Sequence, residues 1–489
     1  MSGGSLTVTG PTQIDARFEI GNASTLTANG PTARFIANGE TKIIGGSFIA
    51  QSGGQISLPN ATSYTNTTNA PVFRATGTNS LLDLRNLVSL TALNAAFSCI
   101  DIEAFSSGVV DLRSLTQIID PTVGDTRNRS VRITADGPTS LVNLSSLVEL
   151  QDRNNDTYDG NWPGYSSITI RAGGIVEVAG SAHLQNTVIQ VIGGGSVVGT
   201  VTVESQSILQ GHDGSINGDV LNRASVRPGT SAGALTITGN FTQTVAGTLA
   251  IELGGAGAGI GYDQLRVSGA ATLDGTLALS LINGFNPAVG STFIVMQYGS
   301  VVGEFALITG QSLSGGKVLV PAFNATNLTL TVAAALKASA AESPEWRVGS
   351  DELTTQELAD FVAASQSRLD PRSRFGLVNE VEFVVTDLPN NLLGLAAGHI
   401  IWIDQDAAGF GWFVDSTPDA DEEFEPRGAA TGRMDLLTVL AHELGHLLGF
   451  EHDSAPGHLM SETLTPGTRL LPIGIDDDID NVFAKPDWP

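Results

Sequence analysis

The sequence has few charged side chains, and very few of them are cationic. Charged residues make up 15% of the 489 positions, and 24 Lys and Arg stand against 50 Asp and Glu, which gives a formal net charge of -26. Lys and Arg are needed to replace the counterions of phosphate groups, so this balance argues against nucleic acid or an anionic membrane surface as a partner. An acidic surface suits solubility or cation binding instead.

Cysteine and long apolar runs are also scarce. Cys99 is the single cysteine, which excludes an internal disulfide, so redox chemistry does not reveal the compartment. No run reaches the roughly 18 apolar residues of a membrane span, and the start, MSGGSLTVTG, has no basic segment followed by an apolar one. We therefore expect no membrane span and no cleaved signal peptide in this chain. A non-cleaved export signal, or a longer reading frame, stays open.

Glycine, by contrast, is abundant. It occupies 57 positions, and hydrophobic residues make up 41% of the chain. This composition predicts a folded, multidomain protein that is rich in β-strands and turns.

Four stretches in the first half of the chain align with one another: residues 71–90, 99–118, 130–150 and 167–184. If Leu84, Leu112, Leu144 and Val178 are equivalent, the steps are 28, 32 and 34 residues. Each unit alternates apolar and polar residues along two strands joined by a turn, a pattern that favours a parallel β-solenoid (β-helix). A leucine-rich repeat is the alternative, because SLLDLRNLVSL has suitably spaced leucines, but no asparagine recurs at a fixed position.

Small residues dominate from about residue 186. The pattern PG-x-S-x-G-x-L-x-I-x-G-N at Pro228–Asn240 resembles the passenger repeats of autotransporter-like bacterial surface proteins, and Tyr262–Met296 resembles their closing segment. The repeats predict a solenoid over residues 1–335, and this resemblance, which covers roughly 120 residues, implies a closing segment at about 240–335. It also implies an extracellular or cell-surface location reached by bacterial-type secretion. The solenoid would be a stalk with cell-surface or matrix contacts, or a scaffold only.

The composition changes after Thr329–Trp346, an Ala-rich stretch with Pro344. This change predicts a linker over residues 336–350 and a second domain over 351–489. Within that domain, LTTQELADFVAASQSRL has the apolar spacing of a helix capped by Thr354 or Thr355, and residues 381–385 and 399–404 have the alternation of strands.

The stretch AHELGHLLGFEHD, residues 441–453, carries three of the seven histidines. A helix from about Asp435, as its cap, to Gly449 places His442 and His446 on one face, where both imidazoles can bind one ion. Continuing the helix would carry His452 roughly 15 Å along the axis, so the chain must turn back, and Gly449 permits that turn. Three histidines leave a fourth zinc position open for water, and Glu443 beside it suits a general base.

This H-E-x-x-H-x-x-G-x-x-H motif resembles the signature of the metzincin zinc peptidases, and the following HLMSETLTPGTR resembles the Met-turn of matrixin-like bacterial members. The resemblance covers about residues 345–485. It implies an α+β domain, Zn²⁺ on His442, His446 and His452, and Met460 as a hydrophobic floor. It further implies a protein or peptide substrate bound along HIIWID as edge strand, and a C-terminal helix at DDDIDNVFA.

The chain departs from the family pattern at several positions. Asp453 follows the third histidine where matrixins usually have Ser, and we expect it to orient the turn. Glu462 stands where other members have a tyrosine ligand. Asp404 and Asp406 are candidate ligands for a structural Ca²⁺, with a solvated acidic loop as the alternative. The remaining His399 and His458 are interpreted as surface or packing residues.

The sequence thus predicts a zinc metalloendopeptidase carried on a β-solenoid. Zinc would lower the pKa of its bound water and polarise the peptide carbonyl, and Glu443 would take the water proton and pass it to the leaving amine. The alternative is a surface structural or adhesive protein whose zinc domain is vestigial or only processes its own chain.

Overall fold

The computed structural model describes residues 1–471 apart from residues 2, 22, 94, 96, 121–128, 154–164, 181, 340–351, 370–380, 389–390, 419 and 454–456. The chain divides into two compact units. The first consists of Met1–Phe285, Phe293–Gly310 and Phe323–Thr329. The second consists of Asn286–Thr292, Gln311–Ala322 and Leu330–Pro489.

The first unit is a parallel β-solenoid with three sheets, and each coil contributes one strand to each sheet. The strands of the 13-stranded sheet are Ser5–Val8, Thr25–Asn29, Ser47–Gln51, Val72–Thr76, Cys99–Phe105, Ser130–Asp136, Ser166–Arg171, Thr187–Ile192, Ile208–His212, Ser225–Arg227, Thr248–Leu253, Thr276–Leu281 and Leu307–Thr309. Those of the 12-stranded sheet are Phe18–Gly21, Thr41–Ile44, Ser63–Thr65, Ser89–Thr91, Gln117–Asp120, Glu149–Asp152, Ala182–Gln185, Val201–Val203, Val220–Asn222, Phe241–Gln243, Ala270–Thr272 and Ser300–Val302. Those of the third sheet are Pro11–Ile14, Arg34–Ala37, Gln55–Ser57, Leu81–Asp83, Val109–Asp111, Leu141–Leu144, Ile175–Val178, Ser196–Val198, Gly214–Asn217, Ala234–Ile237, Gln264–Val267 and Thr292–Gln297.

The strand registers in the third sheet confirm the repeat alignment. Leu82 pairs with Val110, Val110 with Val142 and Val142 with Val176, which are steps of 28, 32 and 34 residues. These equal the steps read from the sequence. The described part of this unit contains three strands per coil and no helix, so the β-solenoid is confirmed and the leucine-rich repeat is wrong.

Alternation along each strand builds the solenoid core. In Cys99–Phe105, every second residue is buried, and Ile100, Ile102 and Ala104 have no exposed surface. Burying one such Ile contributes roughly 1.5–3 kcal/mol, and because the burial comes only from stacking, neighbouring coils stabilise each other. Cys99 lies at the half-buried end of this strand, where its sulfur accepts a hydrogen bond from Arg132 at 3.1 Å.

The second unit contains a mixed sheet and few helices. Leu392–Ala397 runs antiparallel to both Asn327–Ala338 and Ile400–Asp404. Ile400–Asp404 pairs in parallel with Glu382–Thr386, and Asn327–Ala338 with Thr463–Leu464. The other strands are Lys317–Phe323, Trp412–Phe413 and Met434–Asp435, and the helices are α1 (Thr355–Ala364), α2 (Gln366–Leu369), a 3₁₀ turn (Glu422–Phe424) and α3 (Leu436–Leu447).

The last residues of the predicted solenoid belong to the second unit in the structure. The sequence assigns residues 330–335 to the solenoid and 336–350 to a linker, but Leu330–Ala338 belongs to the second unit as part of a 12-residue strand. The Ala-rich composition suggested a hinge, whereas the small side chains pack between two neighbouring strands. Pro344 lies outside the described residues, and the limit at residue 351 stays a prediction.

The edge-strand assignment of HIIWID is wrong. Ile400–Asp404 has a partner strand on each side, so it is an interior strand. The outer strand of this three-strand group is Leu392–Ala397, which is buried along its whole length because Asn327–Ala338 covers its other side. Its sequence, LLGLAA, has no polar residue to mark it as an edge.

Two of the three predicted helices lie in the described residues and form, and their caps are as expected. Thr354 caps α1 in a reciprocal capping box with Glu357, and the predicted apolar face, Leu358, Phe361 and Val362, is buried. Asp435 caps α3 by accepting a hydrogen bond from the amide of Thr438 at 3.1 Å. The helix predicted at DDDIDNVFA lies outside the described residues. In the described part of the chain, no helix has the length and apolar character needed to cross a membrane.

Candidate metal centre

Helix α3 and the turn after it bring three histidines together. His442 and His446 lie one turn apart on α3, and both are buried. The helix then ends as the sequence predicts: Gly449 has a φ of +89°, and the amides of Gly449 and Phe450 donate back to the carbonyls of His446 and Gly445. This reversal returns the chain so that His452 faces the other two rings.

The three Nε2 atoms converge on one point. They are 2.9 Å apart for His442 and His446, 3.1 Å for His446 and His452, and 3.2 Å for His442 and His452. Nitrogen ligands about 2.0–2.1 Å from a tetrahedral zinc ion stand roughly 3.3 Å from one another, so these separations suit one ion. Among the described residues, this is the one cluster of three or more metal-ligand side chains.

Each ring uses its other nitrogen to bind a backbone carbonyl. The Nδ1 atom of His442 lies 2.6 Å from the Leu459 oxygen, and that of His446 lies 2.7 Å from the Phe450 oxygen. The Nδ1 atom of His452 lies 3.2 Å from the Gly315 oxygen. A carbonyl only accepts, so each Nδ1 carries the proton and each Nε2 presents a lone pair. Three lone pairs this close have no hydrogen to share, and a cation satisfies them.

Burial keeps these rings neutral. It lowers the pKa of His442 to about 3, with a further contribution from neighbouring His446, and lowers the pKa of His446 to about 4. The pKa of His452 is also lowered by burial. At neutral pH all three rings are therefore in the neutral form, with Nε2 free of hydrogen to bind metal.

Glu443 is fully buried beside the histidines. Its Oε1 accepts a hydrogen bond from the amide of Leu336 at 3.3 Å, and its Oε2 has no partner among the described residues. Burial raises the pKa of this carboxyl well above its usual value. The close approach requires glycine at 394, because a β-carbon there would lie 2.7 Å from Oε1.

The turn after His452 contains the other predicted residues of the loop. The Met460 sulfur lies 2.6 Å from where a β-carbon on Gly445 would be, so Met460 packs against α3 between the two histidine positions. The amide of Asp453 donates to the Met460 carbonyl, and its carboxylate lies 3.0 Å from Nδ1 of the exposed His458. Asp453 thus orients the turn as expected. His399 is exposed.

Asp404 and Asp406 form a loop anchor. The buried carboxylate of Asp404 accepts hydrogen bonds from the amides of Leu388, Asp406 and Ala408, and Asp406 accepts one from Gly409. Burial is the main reason that the pKa of Asp404 rises to about 6. These contacts account for both residues without an ion, and the calcium role stays a prediction.

Two residues of the site were missed by the sequence analysis. Gly315, which orients His452, lies in a segment that was assigned to the solenoid. Buried Arg469 pairs with Asp415 at 2.7 Å, Asp435 at 2.9 Å and Asp421 at 3.0 Å, and so anchors the capping residue of α3. Its position as the one arginine after Arg433, in a segment rich in acidic residues, was the available signal for it.

Comparison with known proteins gives two findings. Residues 363–482 match the family model of the matrixins, a peptidase family. The chain is also 38% identical over 65 residues to Metalloendoproteinase 2-MMP of Arabidopsis thaliana, an alignment that covers 12% of this chain and 17% of the plant protein. The matched region contains His442, Glu443, His446, His452 and Met460, so the C-terminal part of this chain resembles the matrixins where the sequence motif predicted it.

Proposed function

We propose that the chain is a zinc-dependent endopeptidase in which His442, His446 and His452 hold the metal and Glu443 is the general base. One observation carries the proposal: three Nε2 lone pairs converge beside a buried carboxylate that has one unpartnered oxygen. A structural zinc site has no need of that carboxylate, whereas an open hydrolytic site does.

The histidines provide a fixed set of neutral donors. Their Nδ1 protons are held by backbone carbonyls, so the rings keep their tautomer and orientation when the metal enters or leaves. When bound, zinc supplies Lewis-acid activation of water and of the peptide carbonyl.

Glu443 moves the proton. Its raised pKa means that it can take a proton from water and keep it long enough to deliver it to the departing amide nitrogen. Its Oε1 lies within hydrogen-bond distance of one backbone amide, and this contact supports the proposed second transfer.

The wider proposal places the peptidase in an extracellular setting, with proteins or peptides as substrates and the solenoid as its carrier. The limits of the two domains, 1–335 and 351–489, stay predictions, with Leu330–Ala338 grouped with the proposed peptidase. The adhesive alternative, with a vestigial zinc site, requires loss of a catalytic group. The intact histidine cluster and glutamate favour the enzyme.

The test uses the full chain, loaded with zinc, and fluorescent casein. We expect cleavage that stops with 1,10-phenanthroline, persists with its non-chelating 1,7 isomer and returns on adding zinc. Glu443→Ala should lower the rate by about 100- to 10,000-fold while still binding one zinc ion per chain, because Glu443 is not a ligand.

Glu451→Ala is the matched control, since this exposed glutamate lies in the same segment. Its rate should equal that of the unmodified chain. Chelator-insensitive cleavage, or a Glu443→Ala variant of full activity, would contradict the proposal.

A further inference from the structure

A strand of this chain lies along the same sheet edge to which an extended peptide would add. Within Asn327–Ala338, residue Ala334 pairs with Ala396, Ala335 with Leu395 and Leu336 with Gly394, antiparallel. On its opposite side, Lys337 pairs with Thr463, and the next residue with Leu464, in parallel. An extended segment that pairs with a strand on each side has the backbone hydrogen bonding of a peptide bound by strand addition.

Backbone hydrogen bonds hold this segment on both sides. The amide of Lys337 donates to Glu462 at 3.1 Å, that of Ala338 to Asn391 at 2.8 Å, and that of Ser339 to Leu464 at 2.9 Å. The Asn391 side chain returns a bond to the Ala338 carbonyl at 2.7 Å. Such backbone hydrogen bonds fix the register of the segment and do not depend on the identity of its side chains.

The register places one peptide bond at Glu443. The amide nitrogen of Leu336 donates to Glu443 Oε1 at 3.3 Å, and it is the one backbone group that the described structure joins to this carboxylate. Hydrolysis of the bond between Ala335 and Leu336 would require a proton at this nitrogen. The proposed proton donor is therefore already in contact with the atom that would receive it.

The side chains on either side of that bond alternate between two apolar clusters. Leu336 is 2% exposed and shares a buried cluster with Val439, Leu440 and Leu444 of α3. Ala335 lies in another cluster with Leu392 and Leu395. Leu336 is thus the one large side chain in the run Ala333–Lys337 that is buried beside the catalytic helix.

We propose that the chain is its own substrate and cleaves the bond between Ala335 and Leu336. This inference rests on the proposed function. Water is the co-reactant: its oxygen bonds to the Ala335 carbonyl carbon as the C–N bond breaks. One water proton passes through Glu443 to the Leu336 nitrogen, and the other is released as the new carboxyl group ionises. The products are residues 1–335 with a free carboxylate and a fragment that begins at Leu336.

The experiment purifies the full chain in chelator and starts the reaction with zinc at pH 7. Samples are followed by gel electrophoresis, intact mass and amino-terminal sequencing of the fragments. We expect a fragment beginning at Leu336, formed with a first-order rate constant that does not change over a 50-fold range of protein concentration, because the strand and the site belong to one chain. Glu443→Ala should remain intact.

Casein, assayed in parallel, separates the two ideas. A chain that cuts casein but stays intact, or that cuts itself at another bond or only bimolecularly, would overturn the self-cleavage and leave the peptidase standing. A zinc-loaded chain that cuts neither would overturn both. In a further outcome, the strand stays uncut and casein cleavage rises when Leu336 is replaced. This result would identify the strand as an inhibitor that occupies the site, and it would also overturn self-cleavage.

Two substitutions in the same strand sharpen the test. Leu336→Asp would bury a carboxylate in the apolar cluster and should slow self-cleavage by at least about 100-fold. Thr331→Ala, five residues earlier and only partly buried, is the matched control and should cleave at the normal rate. Because Leu336→Asp could disturb folding, Leu336→Met is the second variant: it conserves volume and apolar character, and self-cleavage within about tenfold of normal is expected. A Leu336→Met chain that binds zinc and cuts casein but not itself would contradict the assigned bond.

Discussion

Two repeated buried carboxylates of the solenoid and Glu443 of the second unit have different partners. In the solenoid, Asp83 pairs with Arg85 at 2.7 Å and Asp111 with Arg113 at 2.5 Å, at equivalent positions of successive coils. In the second unit, Glu443 has a single long hydrogen bond from a backbone amide and no cationic partner among the described residues. A buried carboxylate that serves the fold is paired with a cation or, like Asp404, accepts several backbone amides, whereas one with a single hydrogen bond and an unpartnered oxygen indicates chemistry.

Among substitutions that distinguish the second unit from the solenoid, His446→Ala should have the largest effect on zinc binding and peptide hydrolysis. Removing one of three donors should abolish zinc binding, and peptide hydrolysis should fall to background, because two histidines cannot hold the ion in the same geometry. Metal content by atomic absorption and casein cleavage check this. Replacing solenoid His183, a partly buried residue paired with Glu204, should change neither quantity. An active His446→Ala chain would contradict the site.

Two core leucines should lower stability alike but activity differently. Leu112 in the solenoid and Leu440 in α3 are both fully buried, and each Leu→Ala change should cost about 2–5 kcal/mol of unfolding free energy. Only Leu440→Ala should reduce the rate of casein cleavage below the unfolding transition, because Leu440 supports the turn that carries His442. Denaturant titration and steady-state rates measure the two effects. Equal losses of activity would show that the solenoid core sets the geometry of the site.

The pH dependence should isolate a buried histidine. The pKa of His446 is about 4 in the folded protein and about 6.5 when unfolded, so the unfolded chain binds more protons between these values. In chelator, the contribution of neutral His446 to the free energy of unfolding is fully present above pH 6.5. It is lost as the pH falls toward 4, by about 1.4 kcal/mol per pH unit.

His446→Gln should remove that slope. Urea titration from pH 7 to 4.5 measures the unfolding free energy of the unmodified chain and of this variant. As the pH falls, the unmodified chain should therefore lose stability relative to the variant. A difference that stays constant over this range would contradict the buried neutral state of His446.

The smallest expected effect concerns a helix cap away from the site. Thr354→Ala removes the capping box of α1 and should cost about 1 kcal/mol, with casein cleavage unchanged. Thr355→Ala, at the first position of the same helix, is the control and should cost less. Thermal unfolding measures both, and an equal loss for the two variants would contradict the assignment of the cap.

Local rules accounted for much of the fold and the site. Alternation and Leu84, Leu112, Leu144 and Val178 predicted the coil registers, and the spacing of the histidines with Gly449 predicted the turn that brings His452 back. What failed was non-local. Nothing in TVAAALKAS distinguishes an Ala-rich hinge from a strand, because the distinction depends on Leu392–Ala397, more than 50 residues later. The interior position of Ile400–Asp404 was missed for the same reason.

The hydrogen bond from His452 to the Gly315 carbonyl limits which gene fragments can encode an intact site. This carbonyl orients His452 from a segment that precedes the strand at Leu336 by about twenty residues, within the same unit. A gene fragment that begins at residue 351 would encode every proposed metal ligand but neither this carbonyl nor the strand beside Glu443. The proposed peptidase is therefore not a cassette that starts at residue 351, and recombination that keeps the site intact must carry the earlier segments of the second unit, Gln311–Ala322 and the strand from Leu330, with it.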